Sequence, residues 1–303
     1  MKILILGAGK MGSFFTDLLS FDHEVAVLEQ DPKRMRFIYN ALRMQSVDEI
    51  DAFAPEMVIN CVTLTHTLDA FRSVLPHLRP YCIISDIASV KTNLLEFYKD
   101  CGFPYVSTHP MFGPTFANLG NLMQENAIII SEGDHLGKIF FKDLYEKLKL
   151  NIFEYTFEEH DKVVAYSLGI PFASTFVFVA TMVHQDAPGT TFRRHMKIAR
   201  GVLSEDDYLL TEILFNPRTP GQIDRIQREL DELQKIIAER DTEAMRGYLA
   251  RLRKKSTRES LQPEKLSIFM RLNIIKKDGF DRKRKILEIF AWYPDPVIGM
   301  GNY

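Results

Sequence analysis

The apolar run Lys2-Ile3-Leu4-Ile5-Leu6 ends at Gly7-Ala8-Gly9-Lys10-Met11-Gly12, and an amphipathic stretch follows at once. Three glycines at this spacing, between a buried strand and a helix, leave a chain few folds to adopt. The first permits the tight turn, the second lets the backbone approach a pyrophosphate, and the third lets the helix pack closely on the strand. The new helix also offers free amides and the positive end of its dipole to phosphate. Gly7, Gly9, Lys10, Met11 and Gly12 are therefore the expected phosphate-side cofactor residues. Glu29, at the end of the next apolar run, is expected to accept both ribose hydroxyls and to repel a 2′-phosphate. NAD is thus expected in preference to NADP, with Lys33 and Arg34 as the counter-signal.

Further runs rich in Ile and Val, without polar alternation, occur at Glu24–Leu28, Met57–Val62, Cys82–Asp86, Tyr105–Ser107 and Ala127–Ser131. Strands covered on both faces read this way. Helix-like stretches at Gly12–Leu19, Leu68–Leu75 and Lys91–Lys99 lie between them. Alternation of this kind implies right-handed crossovers and an α/β, doubly wound, Rossmann-type parallel sheet over residues 1–155.

Beyond Leu150-Asn151-Ile152-Phe153 the strand signals stop. Thr156 and Glu159 form a capping box that opens a long helix. Thr219-Pro220-Gly221-Gln222 reads as a second N-cap with proline at the first helical position. Ile223, Ile226, Leu230, Leu233, Ile236 and Ile237 then fall on one helical stripe. Residues 156–257 are accordingly expected to form an all-α substrate and dimerisation domain, giving a homodimer. Residues 258–303 are a basic tail, with charge runs at 276–277 and 282–285 and an apolar segment at 286–292.

Composition narrows the class. With 46% apolar and 26% charged residues, a net charge of −2 and a pI of about 6.5, the chain is that of a globular protein with no field for nucleic acid. Cys61, Cys82 and Cys101 form no CxxC pair, which suits small buried side chains in the reducing cytoplasm. The N-terminal apolar run is too short for a secretory signal. Leu168–Val183, the most apolar stretch, is shorter than the roughly 20 residues of a membrane helix. It is expected as a buried core helix, with no membrane partner.

Thr108-His109-Pro110-Met111-Phe112-Gly113-Pro114 puts a histidine directly after a strand, at the carboxyl edge where open α/β sheets bind ligands. Ser85-Asp86-Ile87-Ala88-Ser89-Val90-Lys91 also leaves a strand there, so Ser89 or Lys91 reaches the same crevice. No GxSxG elbow and no HExxH zinc pattern is present. Redox chemistry with a nicotinamide, with His109 as the proton acceptor, is the expected reaction class, and no metal is expected.

Taken together, "GAGKMG", "SDIASVK", "HPMFGP" and "EEHDKVVAYS" resemble prephenate dehydrogenases of tyrosine biosynthesis over about residues 1–257. The resemblance implies oxidative decarboxylation of prephenate to 4-hydroxyphenylpyruvate, or of arogenate, its amino analogue. By similarity His109 takes the proton of the ring hydroxyl and Ser89 bonds that hydroxyl or the imidazole. A carboxylate substrate calls for a guanidinium fork. The family's substrate arginine falls within Thr191–Gly201, where Arg200 and Arg193 both fit, two helical turns apart. His160 is read as a helix-start residue whose charge Glu158, Glu159 and Asp161 favour. One departure concerns specificity: where family members often carry a histidine twelve residues further on, this chain has Phe172. Other readings are a β-hydroxyacid-type dehydrogenase, which would rely on a helical-domain lysine, and an NAD-sensing regulator without turnover.

Overall fold

The computed structural model describes residues 1–91, 93–113 and 122–260. The basic and apolar runs expected at 276–292, like Pro114, lie outside them. Along the chain the elements are β1 (Lys2–Leu6), α1 (Lys10–Leu19), β2 (Glu24–Leu28), β3 (Leu42–Met44), α2 (Ile50–Phe53), β4 (Met57–Asn60) and α3 (Thr67–Val74). There follow β5 (Ile83–Asp86), α4 (Leu94–Asp100), β6 (Tyr105–Pro110), β7 (Asn126–Ile130), α5 (His135–Lys147) and β8 (Asn151–Tyr155). The helical part comprises α6 (Phe157–Ser167), α7 (Gly169–Thr181), α8 (Thr190–Val202), α9 (Asp207–Leu214), α10 (Thr219–Glu239) and α11 (Thr242–Ser260).

The sheet runs β3-β2-β1-β4-β5-β6-β7-β8. Its first six strands are parallel and doubly wound, with the order reversing between β1 and β4. Each apolar strand residue feeds one of two cores. Ile3, Ile5, Val27, Ile59 and Val106 face α1 and α5 with Phe15, Phe141 and Tyr145. Leu4, Leu6, Val58, Ile84 and Ile128 face the other side with Phe71, Leu94, Tyr98 and Phe157.

Several expectations need correction. Leu42–Met44 is an edge strand absent from the Ile/Val runs, too short and too exposed to show a pattern. β7 runs antiparallel to β6. The segment joining them carries Gly113, Pro114 and Gly120 instead of an amphipathic stripe, and a parallel return needs a helical crossover. The helix expected from Lys91 begins only at Leu94, because Asn93 takes a left-handed conformation with φ 61°. Thr219 lies inside α10, and its hydroxyl donates to the Ile213 carbonyl instead of capping.

The unit of dense contacts spans Met1–Asp231, so α6 to α9 belong with the sheet. The Thr156–Glu159 capping box forms as read. Phe157, His160, Val164 and Ala165 bury one face of α6, which packs on β7 and β8. By length and composition alone, Phe157–Thr181 would suffice to cross a membrane. The expected buried core helix is not realised within one chain. In α7 only Gly169 and Ala173 are buried, and Val177 is 53% exposed, because one face alone meets α6, α8 and α9. In the unit Glu232–Tyr303, Arg251 pairs with Glu232 at 2.7 Å and Arg246 with Glu243 at 2.6 Å, both on the surface.

Gly12 meets the Gly7 carbonyl so closely that an added Cβ would lie 1.9 Å from its oxygen, whereas a Cβ on Gly9 would meet nothing within 4 Å. Gly12→Ala should therefore lower Tm by several degrees, at about 2–4 °C per kcal/mol lost, and Gly9→Ala should leave it nearly unchanged. Parallel thermal melts of the two variants check this, and equal Tm values would contradict it.

Candidate active site

Two features share the carboxyl edge of the sheet. The first is a cleft of about 580 Å³ at the switch point between β1 and β4. Gly7, Gly9, Glu29, Asp31, Arg34, Cys61 and Val62 are among its lining residues. Gly7 has φ +90°, a conformation few side chains tolerate, and it brings the turn back under Val62. The open space beyond Gly9 is what a pyrophosphate needs. Glu29 sits one residue past β2 and is nearly buried. One of its oxygens accepts from the Ala8 amide at 2.8 Å and the other from the Asp31 amide at 2.9 Å. Arg34 stands 4.0 Å from both Glu29 and Asp31, so its charge is engaged by carboxylates. Lys10 opens α1 on this edge, and Met11 packs against the core beneath it.

The second feature is a row of polar groups under an otherwise apolar sheet face. His109, at the end of β6, is 6% exposed, and its Nδ1 lies 3.0 Å from His160 Nε2 of α6. His160 is fully buried, and its Nδ1 faces the half-exposed Asp161 carboxylate at 3.4 Å. An ionised carboxylate only accepts, so the contact calls for the proton on His160 Nδ1. His160 Nε2 then accepts from His109 Nδ1–H, and His109 Nε2 keeps a lone pair. Burial, followed by the charges of His160 and Lys91, holds the His109 imidazole well below the usual histidine range. Burial likewise lowers His160, although the Asp161 bond acts in the opposite direction. The charge expected on His160 from its acidic neighbours is thus overturned, because desolvation outweighs them. The first turn of α6 is anchored from outside by Asn216, which donates to the Asp161 carbonyl at 3.1 Å, and by Arg218, which pairs with Glu158 at 3.0 Å.

Beside the histidines, Asp86 of β5 collects three donors: the Ala88 amide at 3.0 Å, Lys91 at 2.6 Å and the Tyr98 hydroxyl at 2.7 Å. Lys91 also donates to the Thr108 carbonyl at 2.8 Å. Ser89 is half-buried in the same connection and has no hydrogen-bond partner among the described residues. His160, a partner for His109 that the sequence reading had not named, meets the imidazole at Nδ1. Arg193 and Arg200 are exposed on α8 and make no hydrogen bond with the His109 group among the described residues. Sequence reasoning set His160 aside, yet the capping box that fixes the start of α6 also fixes the position of His160 on that helix.

Sheet order, glycine turn and carboxylate define a dinucleotide-binding protein of the doubly wound class. Comparison narrows that class. Residues 20–151 match the family model "Prephenate dehydrogenase, nucleotide-binding domain". The glycine turn at Gly7 to Gly12 lies before the matched segment. A probable arogenate/prephenate dehydrogenase of Methanocaldococcus jannaschii is 24% identical over 203 residues, 62% of this chain and 45% of the relative. The chain thus aligns with less than half the length of this curated relative. The Aquifex aeolicus prephenate dehydrogenase, solved with hydroxyphenyl propionate and NAD+, superposes with a TM-score of 0.73 at 20% identity, covering 85% of this chain and 98% of that one. The Synechocystis arogenate dehydrogenase gives 0.67 at 19% identity, covering 86% and 100%. The resemblance read from the motifs is upheld: residues 20–151 match the nucleotide-binding domain of prephenate dehydrogenases, and the fold is shared with solved structures that cover 85% and 86% of this chain.

Because both imidazoles are held neutral in the fold, the unfolded chain binds more protons below its histidine value of about 6.5. The stability they contribute is complete above that value and is lost as pH falls below it. Melts at about pH 7.5 and about pH 5.5 should show a drop in Tm that His160→Gln reduces. An equal drop in the variant would refute the assignment.

Proposed function

We propose that this protein is an NAD-dependent dehydrogenase that oxidatively decarboxylates prephenate to 4-hydroxyphenylpyruvate in the cytoplasm. Arogenate is the alternative substrate. The observation that carries the reading is the buried His109–His160 contact at the carboxyl edge of a sheet that superposes on prephenate dehydrogenases.

The chain's own groups suit the chemistry. Gly7, Gly9, Lys10, Met11 and Gly12 would hold the pyrophosphate, and Glu29, already fixed by two amides, would take the ribose hydroxyls. That carboxylate and Asp31 favour NAD over NADP, since both oppose a 2′-phosphate. The bound nicotinamide supplies a hydride acceptor. His109 Nε2 would accept the proton of the ring hydroxyl, and Ser89, whose hydroxyl has no hydrogen-bond partner among the described residues, would hold that oxygen. Aromatisation of the ring drives loss of CO2: the electron pair of the broken C–C bond passes into the ring and onto the oxygen, and the proton held by His109 returns there, so no further acid is needed. Arg200 or Arg193 would fork a substrate carboxylate. Phe172 in place of a histidine makes the far side of the site more apolar.

Homodimerisation through the helical part is included in the reading. Its support is apolar surface that one chain leaves bare: Val177, Met182 and Val183 on and after α7, and Ile223, Leu230 and Ile237 along α10. Burying such surface contributes roughly 25 cal/mol per Å².

The test is formation of reduced cofactor from prephenate or arogenate with each oxidised nicotinamide. Turnover should be faster with NAD, and no turnover with either substrate would sink the enzyme reading. His109→Asn should lower kcat about 10²- to 10⁴-fold. Glu29→Ala should raise KM for NAD about tenfold or more. Of Arg193→Ala and Arg200→Ala, the one that raises substrate KM without changing cofactor KM marks the carboxylate partner.

A further inference from the structure

The mechanism above leaves Lys91 without a role, although it is the most unusual side chain near the site. Its side chain is 1% exposed, beside a sheet face built of Leu, Ile and aromatic residues. Stripping an ammonium of water costs several kcal/mol, and a buried ion pair seldom outperforms an apolar replacement. Stability alone therefore does not call for a lysine here. The left-handed Asn93 sets where the helix starts, and Lys91 lies before it in the connection from β5 to α4.

Its bonds show where it acts. One N–H goes to Asp86 Oδ1 at 2.6 Å and another to the Thr108 carbonyl at 2.8 Å. Thr108 immediately precedes His109. Its hydroxyl donates to the Ile128 carbonyl at 2.7 Å and meets the Tyr145 hydroxyl at 2.9 Å, so the peptide carrying the imidazole is held from both sides of the sheet. The ionisable groups around His109 among the described residues are His160 and Asp161 of α6, Lys91 and Asp86 of the β5–α4 connection and, through Asp86, Tyr98 of α4.

We propose that Lys91 is a positioning residue for the base: an ammonium clamped between Asp86 and the Thr108 carbonyl that fixes the strand end bearing His109 and keeps a second positive charge off its imidazole. The proposal rests on reading His109 as the proton acceptor. Protonation of His109 would place two cations in one dry pocket, so the fixed cation adds to burial and to the neighbouring His160 in keeping the imidazole neutral and able to accept a proton.

The experiment compares wild type with Lys91→Met, Lys91→Arg and the charge-neutral double variant Asp86→Asn/Lys91→Met. NMR titration of the His109 and His160 ring protons, assigned with His109→Asn and His160→Gln, is read beside pH profiles of kcat and kcat/KM. In Lys91→Met, His109 should titrate about one pH unit or more higher. The acid limb of kcat/KM should move with it, and kcat at neutral pH should fall about tenfold or more with cofactor KM little changed. Lys91→Arg should recover part of both effects. The double variant should titrate closer to wild type than Lys91→Met while kcat stays low, since the Thr108 carbonyl still lacks its donor. A folded Lys91→Met protein with an unmoved titration and kcat within about twofold of wild type would overturn the proposal. If Lys91→Met does not fold, the double variant decides: wild-type kcat overturns the proposal and reduced kcat supports it. If wild type turns over neither substrate, the base reading fails by itself, and the NMR titration still tests the charge effect of Lys91.

Discussion

The contact on which the molecule's working end depends is the approach of Gly12 to the carbonyl of Gly7. No side chain can stand between them, so α1 starts hard against the end of β1 and its first amides are aimed over the sheet edge. With the order reversing between β1 and β4, that edge opens into the cleft lined by Gly7, Gly9 and Glu29. Glu29 in turn accepts from the Ala8 amide inside the glycine turn. The glycine turn and the Glu29 carboxylate are thus one hydrogen-bonded piece of the cleft.

A second constraint is the cost of polar groups in the core. Asp86, Lys91, Thr108, His109 and His160 are all buried. Each satisfies the others: carboxylate to ammonium, ammonium to backbone carbonyl, imidazole to imidazole. Such a row is expensive when any member is missing, because an unpaired buried group keeps its full desolvation penalty. The same dryness makes the row useful. Burial disfavours the charged form of both imidazoles, and with His160 Nδ1 facing Asp161 the hydrogen between the rings belongs to His109 Nδ1. Arg193 and Arg200, by contrast, remain on the surface of α8, with long side chains and no fixed partner in the described chain.

Much of the fold was legible in local chemistry. The glycine spacing, the doubly buried strands and the Thr156–Glu159 capping box are short-range signals, and each appears where its residues stand. The misreadings have physical causes. β3 is three residues long at an edge, with no periodicity to read. The antiparallel β6–β7 pairing is decided by partner strands rather than by either strand's composition. α7 looked like a core helix because hydropathy does not say how much of a helix its neighbours cover.

By itself, then, the sequence determined the nucleotide-binding turn, the parallel sheet, the passage to helices at Thr156 and the placing of His109 at a strand's carboxyl end. All of these follow from propensities and spacings within a few residues. Tertiary structure alone decided that His160, 51 positions away in the chain, becomes the partner of His109, and that Lys91 turns inward to Asp86 and Thr108. It also reversed the charge expected on His160, since Glu158, Glu159 and Asp161 favour a cation in sequence while burial against the sheet disfavours it. Local chemistry fixes which groups are present, and only packing sets which of them lose their water.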